Sequence, residues 1–304
     1  FGAAGGERVG CGFITWSLAR RPELLEQVLA RSPAAVMLSF GDAAPFAQAV
    51  RTSGATLICQ VQTLAMACEA VDLGADVIVA QGAEAGGHGI ERATLALVPE
   101  VADHLARVSP ATVLVAAGGI ADGRGLAAAL MLGAHGVLVG SRFWASREAL
   151  VAPGLQRAAL ESDGDGTVRT TVPDVARRYD WPRPFTARVL RTRFVQEWHG
   201  REQDLARPEN LLQQEPRFWR GQQEGNPDDT CVLLGEAVGL IRDVPPAGEL
   251  VHRMVREAER KYEAGMDCGA EANMAKMLAA DASFEAANAC IQTHGGFGFA
   301  EEYD

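Results

Sequence analysis

The first half of this chain alternates short apolar runs with amphipathic ones, and that beat restricts its possible folds more than any other feature of its 304 residues. The apolar runs lie at residues 9–16, 35–40, 56–61, 77–80, 113–117 and 136–140, and they lack the polar residue at every second position that a half-solvated strand would show. Strands written this way are covered on both faces, as those of parallel sheets are. Between them, residues 22–31 carry proline in the first turn and residues 63–73 stop at Gly74, which are start and stop signals of helices. A repeated strand–helix unit gives a parallel sheet, and strand spacings of roughly 20–35 residues suit either a doubly wound sheet or a (β/α)8 barrel.

The turns just past the strands separate these two. The first strand has no G-x-G-x-x-G after it, so the dinucleotide fingerprint of a doubly wound sheet is missing. Instead Ala116-Ala-Gly-Gly-Ile-Ala-Asp-Gly-Arg-Gly125 comes after the fifth strand and Gly140-Ser-Arg-Phe143 after the sixth. Two successive glycine-rich strand ends place backbone N–H groups and a helix N-terminus around a phosphate, as barrels do after their last two strands. The expected fold is α/β, a TIM barrel with six of its eight strands present, its first two lying upstream of Phe1.

The sharpest chemical signal stands at the end of the fourth run, in Gln81-Gly-Ala-Glu-Ala-Gly-Gly-His-Gly89. Glycines let a loop backbone lie flat against a ligand, because they adopt positive φ and carry no Cβ. His88 stands beside whatever they hold, and imidazole both takes and gives a proton near neutrality. Taken alone, the same residues also suit a glycine turn with a structural histidine.

The formal net charge of -11 argues against nucleic acid or an anionic membrane as partner, since both call for clustered Lys and Arg. A small molecule is the expected ligand. Cysteines 11, 59, 68, 231, 268 and 290 form no C-x-x-C pair, which fits a reducing compartment, and no apolar run reaches the ~18 residues of a membrane span. The expected location is the cytoplasm. The chain opens on Phe1 and not Met, so its natural N-terminus is expected further upstream. Residues 1–150 are expected to form the barrel portion and residues 151–260 a helical, barrel-associated cover that includes 230–243. Residues 161–166, rich in Asp and Gly, lack EF-hand spacing, and no metal is expected.

Several of these segments together resemble the nitronate monooxygenases, also called 2-nitropropane dioxygenases, a family of FMN-dependent (β/α)8 barrels. The similarity spans about residues 8–255. It rests on Gly10-Cys-Gly-Phe-Ile-Thr-Trp16, Ile58-Cys-Gln-Val61, the Gln81 to Gly89 turn, Ala117-Gly-Gly-Ile-Ala-Asp122, Gly140-Ser-Arg-Phe143 and Gly235-Glu-Ala-Val-Gly-Leu-Ile241. The resemblance implies that His88 is the catalytic histidine and that Gln81, Gly86, Gly87, Gly118, Gly119, Gly140 and Ser141 hold FMN. It also implies oxidation of an alkyl nitronate or nitroalkane by O2 to a carbonyl compound and nitrite, with Phe13, Trp16 and Phe40 near a small apolar pocket. Leu138 departs from the pattern, standing where many members have Gln near the phosphate. Related flavin barrels with a similar turn reduce enoyl thioesters or quinones, and that alternative stays open, as does an inactive truncated or fused fragment.

The tail differs. Lys261-Tyr-Glu-Ala-Gly265, Cys268-Gly-Ala-Glu-Ala-Asn-Met-Ala-Lys276 and Gln292-Thr-His-Gly-Gly-Phe-Gly-Phe299 resemble the C-terminal helical region of acyl-CoA dehydrogenases. In that family this region helps form the tetramer, so a homo-oligomer is a possible state. A helix over residues 269–291 is expected, dispensable for flavin chemistry.

Overall fold

The computed structural model describes residues 8–263. Its apolar runs become β1 (Gly10–Ile14), β2 (Ala35–Ser39), β3 (Thr56–Val61) and β4 (Val77–Gln81), then β5 (Gly87–Gly89), β6 (Val113–Ala117) and β7 (Gly136–Leu138). All except β5 join one parallel sheet in the order β1-β2-β3-β4-β6-β7. The order follows the chain without reversing, so there is no switch point and all C-terminal strand ends open on one rim. This is the wall of a TIM barrel, and it carries six staves. Among the described residues β1 and β7 each have one neighbour; a closed barrel of eight would set two more staves between them.

The connections are a single turn (Thr15–Leu18) with α1 (Glu23–Leu29), then α2 (Ala44–Thr52), α3 (Leu64–Asp72), α4 (Thr94–Val108) and α5 (Gly123–Met131). Local chemistry starts two of them: the Thr63 side chain accepts from the Met66 N–H, and Asp122 accepts from the N–H groups of Arg124 and Gly125. The wall buries Val36, Leu38, Leu57, Ile78, Leu114 and Ala116, and the helices press Val50, Ala67, Leu97 and Val101 against it. In β4 the four consecutive residues 78–81 are all buried, so that stave is covered on both faces, which explains its absent alternation.

Beyond the wall the region expected as helical cover does carry helices, but strands as well. That region holds β8 (Thr167–Thr170) and β9 (Thr186–Leu190), an antiparallel pair whose other neighbour is β5, in the order β5-β9-β8. Arg169 and Arg188 interrupt the apolar pattern of these strands, yet both guanidinium groups are held inside the fold, each donating to the carbonyl of Ala83 (3.2 and 2.8 Å). Residues 230–243 are likewise not an α-helix but carry only a short 3-10 turn, Glu236–Leu240. A Cβ on Gly239 would stand 3.0 Å from the Gly164 nitrogen, so this segment is spent on close loop contacts and not on helical turns. The helices here include α6 (Val172–Ala176), α7 (Pro208–Glu224) and α8 (Ala247–Glu263).

The last of these packs on α5, burying Leu250, Met254 and Ala258. The approach is close enough that a Cβ on Gly123 would stand 2.6 Å from the Met254 carbonyl oxygen. Glycine to alanine in a helix ordinarily gains ~0.4–1 kcal/mol. Here Gly123→Ala should instead cost about 1–3 kcal/mol through overpacking, read as a lower urea midpoint at unchanged slope. The helix expected over residues 269–291 lies outside the described residues. Among those described, no helix is long and apolar enough to cross a membrane.

Candidate active site

The site is built where the chain leaves the wall after β4. Gln81, the last residue of that strand, is buried, and its carboxamide is bonded at both ends: Oε1 accepts from Gln60 Nε2 (2.7 Å) and Gln62 Nε2 (2.9 Å), and Nε2 donates to the His88 carbonyl (3.1 Å). It thus ties the histidine's own backbone to the ends of two staves. The loop in between runs against residues 234–235, where a Cβ on Gly86 would meet the Gly235 nitrogen at 2.6 Å and the Leu234 carbonyl carbon at 2.7 Å. Gly87 takes φ 73°, a left-handed conformation that suits glycine, and turns the chain into β5. There His88 lies opposite Ala187 of β9.

His88 is buried, and its surroundings come from the chain's second half. Nε2 lies 2.9 and 3.0 Å from the two carboxylate oxygens of Asp174, on α6. Asp174 in turn accepts from Arg177 (3.1 Å), and that ion pair is itself buried. The Trp181 ring stacks on the imidazole, with centroids 3.4 Å apart and planes 6° from parallel. Phe40 stands edge-on to both, and Phe185 edge-on to Phe40 and Trp181. Trp16 meets the Trp181 edge at 5.3 Å. Phe40 adopts φ 59°, a strained backbone for an aromatic residue, and such strain gathers at functional sites. Phe13 is buried in the wall's core.

Burial pushes the His88 pKa below its usual 6.5, since desolvation outweighs the opposing hydrogen bond and charge of Asp174; Arg177 and Arg169 lower it further. The imidazole is therefore neutral at pH 7 and able to accept a proton.

The remaining predicted positions fall on the same rim, after β6 and β7. Gly118 (φ 102°) and Gly119 (φ 74°) form a left-handed turn, with the Gly118 carbonyl accepting from Thr94 Oγ1 (3.1 Å). Gly140 precedes the single turn Ser141–Trp144, and a Cβ there would meet nothing within 4 Å. Ser141 Oγ accepts from the Gly235 N–H (2.9 Å), and Leu138 closes β7 half exposed. Three buried polar atoms at this rim have no partner among the described residues: Thr15 Oγ1 and Trp16 Nε1 just past β1, and Gln62 Oε1 just past β3. An orphaned polar group costs ~1–3 kcal/mol, so three along one rim suit a polar ring system that would pair with them.

Asp174, Arg177, Trp181, Phe185 and the Gln60–Gln81–Gln62 cluster were not singled out from the sequence as site residues, apart from Gln81. Only Trp181-Pro-Arg-Pro184 offered a signal, an aromatic residue in a proline-broken loop.

Comparison with known proteins places these features in context. Residues 19–257 match the family model described as nitronate monooxygenase, and residues 248–304 that of the C-terminal domain of acyl-CoA dehydrogenase, the two overlapping within α8. A protein named nitronate monooxygenase npaC, from Metarhizium robertsii, is 38% identical over 83% of this chain and 73% of its own length. A nitronate monooxygenase of Neurospora crassa is 35% identical over 73% of this chain, which spans only 59% of that relative. Among solved structures, FabK from Thermotoga maritima superposes with a TM-score of 0.72 at 27% identity, covering 85% of this chain and 78% of that one. Nitroalkane oxidase from Streptomyces ansochromogenes gives 0.66 at 26% identity, covering 79% and 68%.

Proposed function

Because this chain belongs to the nitronate monooxygenase family, we propose that it oxidises alkyl nitronates with O2 to a carbonyl compound and nitrite, using FMN bound at the rim of the barrel wall. The observation that carries this reading is the convergence at one rim of a buried, neutral imidazole and the unpaired polar atoms of Thr15, Trp16 and Gln62. Gly118, Gly119, Gly140 and Ser141 would hold the phosphate, and the loop of Gly86 and Gly87 would flank the ring, with Gln81 serving by fixing the His88 backbone. FMN supplies the electron-accepting ring.

The chain's own residues do the rest. His88 takes the α-proton of a neutral nitroalkane, or orients the anionic nitronate when that is supplied directly. Trp16, Phe40, Trp181 and Phe185 make an apolar surround that excludes water and suits small alkyl substituents. Within a low-dielectric surround of this kind, the negative charge of the nitronate is felt strongly by nearby dipoles and cations.

Purified protein should be yellow, and acid release followed by chromatography should yield FMN, since two strand-end glycine turns suit one terminal phosphate. Recovery of FAD alone, or protein that stays colourless when incubated with FMN, would overturn this assignment of the rim.

A further inference from the structure

We infer that Asp174 is a positioning residue that selects which nitrogen of His88 acts as the base, holding the imidazole as the Nε2–H tautomer and leaving Nδ1 to take the substrate proton. The inference rests on the reading of His88 as a base, and it names the atom. Both Asp174 oxygens lie within hydrogen-bond reach of Nε2, at 2.9 and 3.0 Å. A carboxylate only accepts, so the nitrogen facing it must donate. A neutral imidazole carries one N–H, and Nδ1 is then the lone-pair atom.

Stacking alone could not make this choice. Trp181, lying 6° from parallel, meets the face of the ring and neither of its in-plane nitrogens, so it fixes the plane and is indifferent to which nitrogen carries the proton. The carboxylate decides between the nitrogens. Arg177, donating to Asp174 Oδ1 at 3.1 Å, gives the buried carboxylate a counter-charge and fixes its rotation. The charged groups acting on His88 are thus Asp174 on α6, Arg177 just past it and Arg169 on β8.

This arrangement gives Asp174→Asn a specific outcome. Arg177 can only donate, so it should keep the carboxamide oxygen, leaving the –NH2 in the place of Oδ2, 3.0 Å from Nε2. The –NH2 repels an Nε2–H, while the retained oxygen, 2.9 Å from Nε2, is shared with Arg177, so the ring loses the two-oxygen acceptor that fixed its proton and its population shifts toward Nδ1–H, which weakens the base. Long-range 1H–15N correlation spectra of the holoprotein, with the His88 signals assigned by their loss in His88→Asn, read the tautomer directly. Wild type should show Nε2–H alone and Asp174→Asn should show a raised Nδ1–H fraction. The variant's kcat/KM for neutral nitroalkane should fall ~10²- to 10⁴-fold, with a smaller loss on preformed nitronate. Asp174→Glu should restore Nε2–H and part of the rate.

A wild-type Nδ1–H signal, or Asp174→Asn keeping Nε2–H, sinks the inference while leaving His88 as the base. Should Asp174→Asn fail to fold, the wild-type and Asp174→Glu tautomers decide alone. His88→Asn, with its contrast between neutral nitroalkane and preformed nitronate, tests the base reading separately.

Discussion

His88→Asn should slow turnover of neutral nitroalkanes by ~10²- to 10⁴-fold while costing preformed nitronates far less. Only the neutral substrate has a proton to lose. Asparagine keeps polar atoms that can face Asp174, and Arg177 still balances that carboxylate, so no uncompensated buried charge is created. Folding and flavin content should therefore survive, which visible absorbance of the variant would verify. In the unaltered protein, nitroalkane kcat/KM should rise with pH through the pKa of His88. Burial holds that pKa below 6.5, so the rise should lie at lower pH than an ordinary histidine would give, while nitronate turnover lacks this limb. Equal losses on both substrates would show that His88 binds or positions without removing a proton.

Gly86→Ala should be the most damaging small substitution near the site. Its Cβ would lie 2.6 Å from the Gly235 nitrogen and 2.8 Å from Leu234 Cα, backbone atoms that cannot rotate away. The reverse also holds, since a Cβ on Gly235 would come 2.8 Å from the Gly86 nitrogen. The two loops must separate, at about 1–3 kcal/mol, or roughly 2–4 °C of Tm for each kcal/mol. The consequence for activity is larger. His88 stands two residues on, and a displacement of ~1 Å at a reacting group can cost ~10²-fold. Gly136→Ala is the control for stability, because its Cβ meets nothing within 4 Å and its Tm should stay within roughly 1–2 °C of the parent. Similar Tm losses in both variants would mean that the close approach of residues 86 and 235 is not what holds the loop.

The six staves were legible because a strand covered on both faces must be apolar throughout, and that requirement is written residue by residue, as in Val77–Gln81. The helix starts at Thr63 and Asp122 rest on equally local chemistry, a side-chain oxygen placed to meet the first free N–H groups. Strands β8 and β9 were not legible. Their arginines look solvated in a linear reading, and inside the fold both donate to one carbonyl of the His88 loop, that of Ala83.

The sequence by itself determined the staves of the parallel wall and the histidine in the turn past the fourth of them, since both are written in residues adjacent in the chain. Tertiary structure alone decided what His88 is. Asp174 lies 86 residues further along the chain, in a region with no periodic signal, and reaches the imidazole only because β5 pairs with β9 and brings α6 and Trp181 with it. A hydrogen bond across that separation leaves no local trace in composition or spacing. It exists only once antiparallel pairing has closed the loop, and the tautomer and pKa of the histidine are set by that closure.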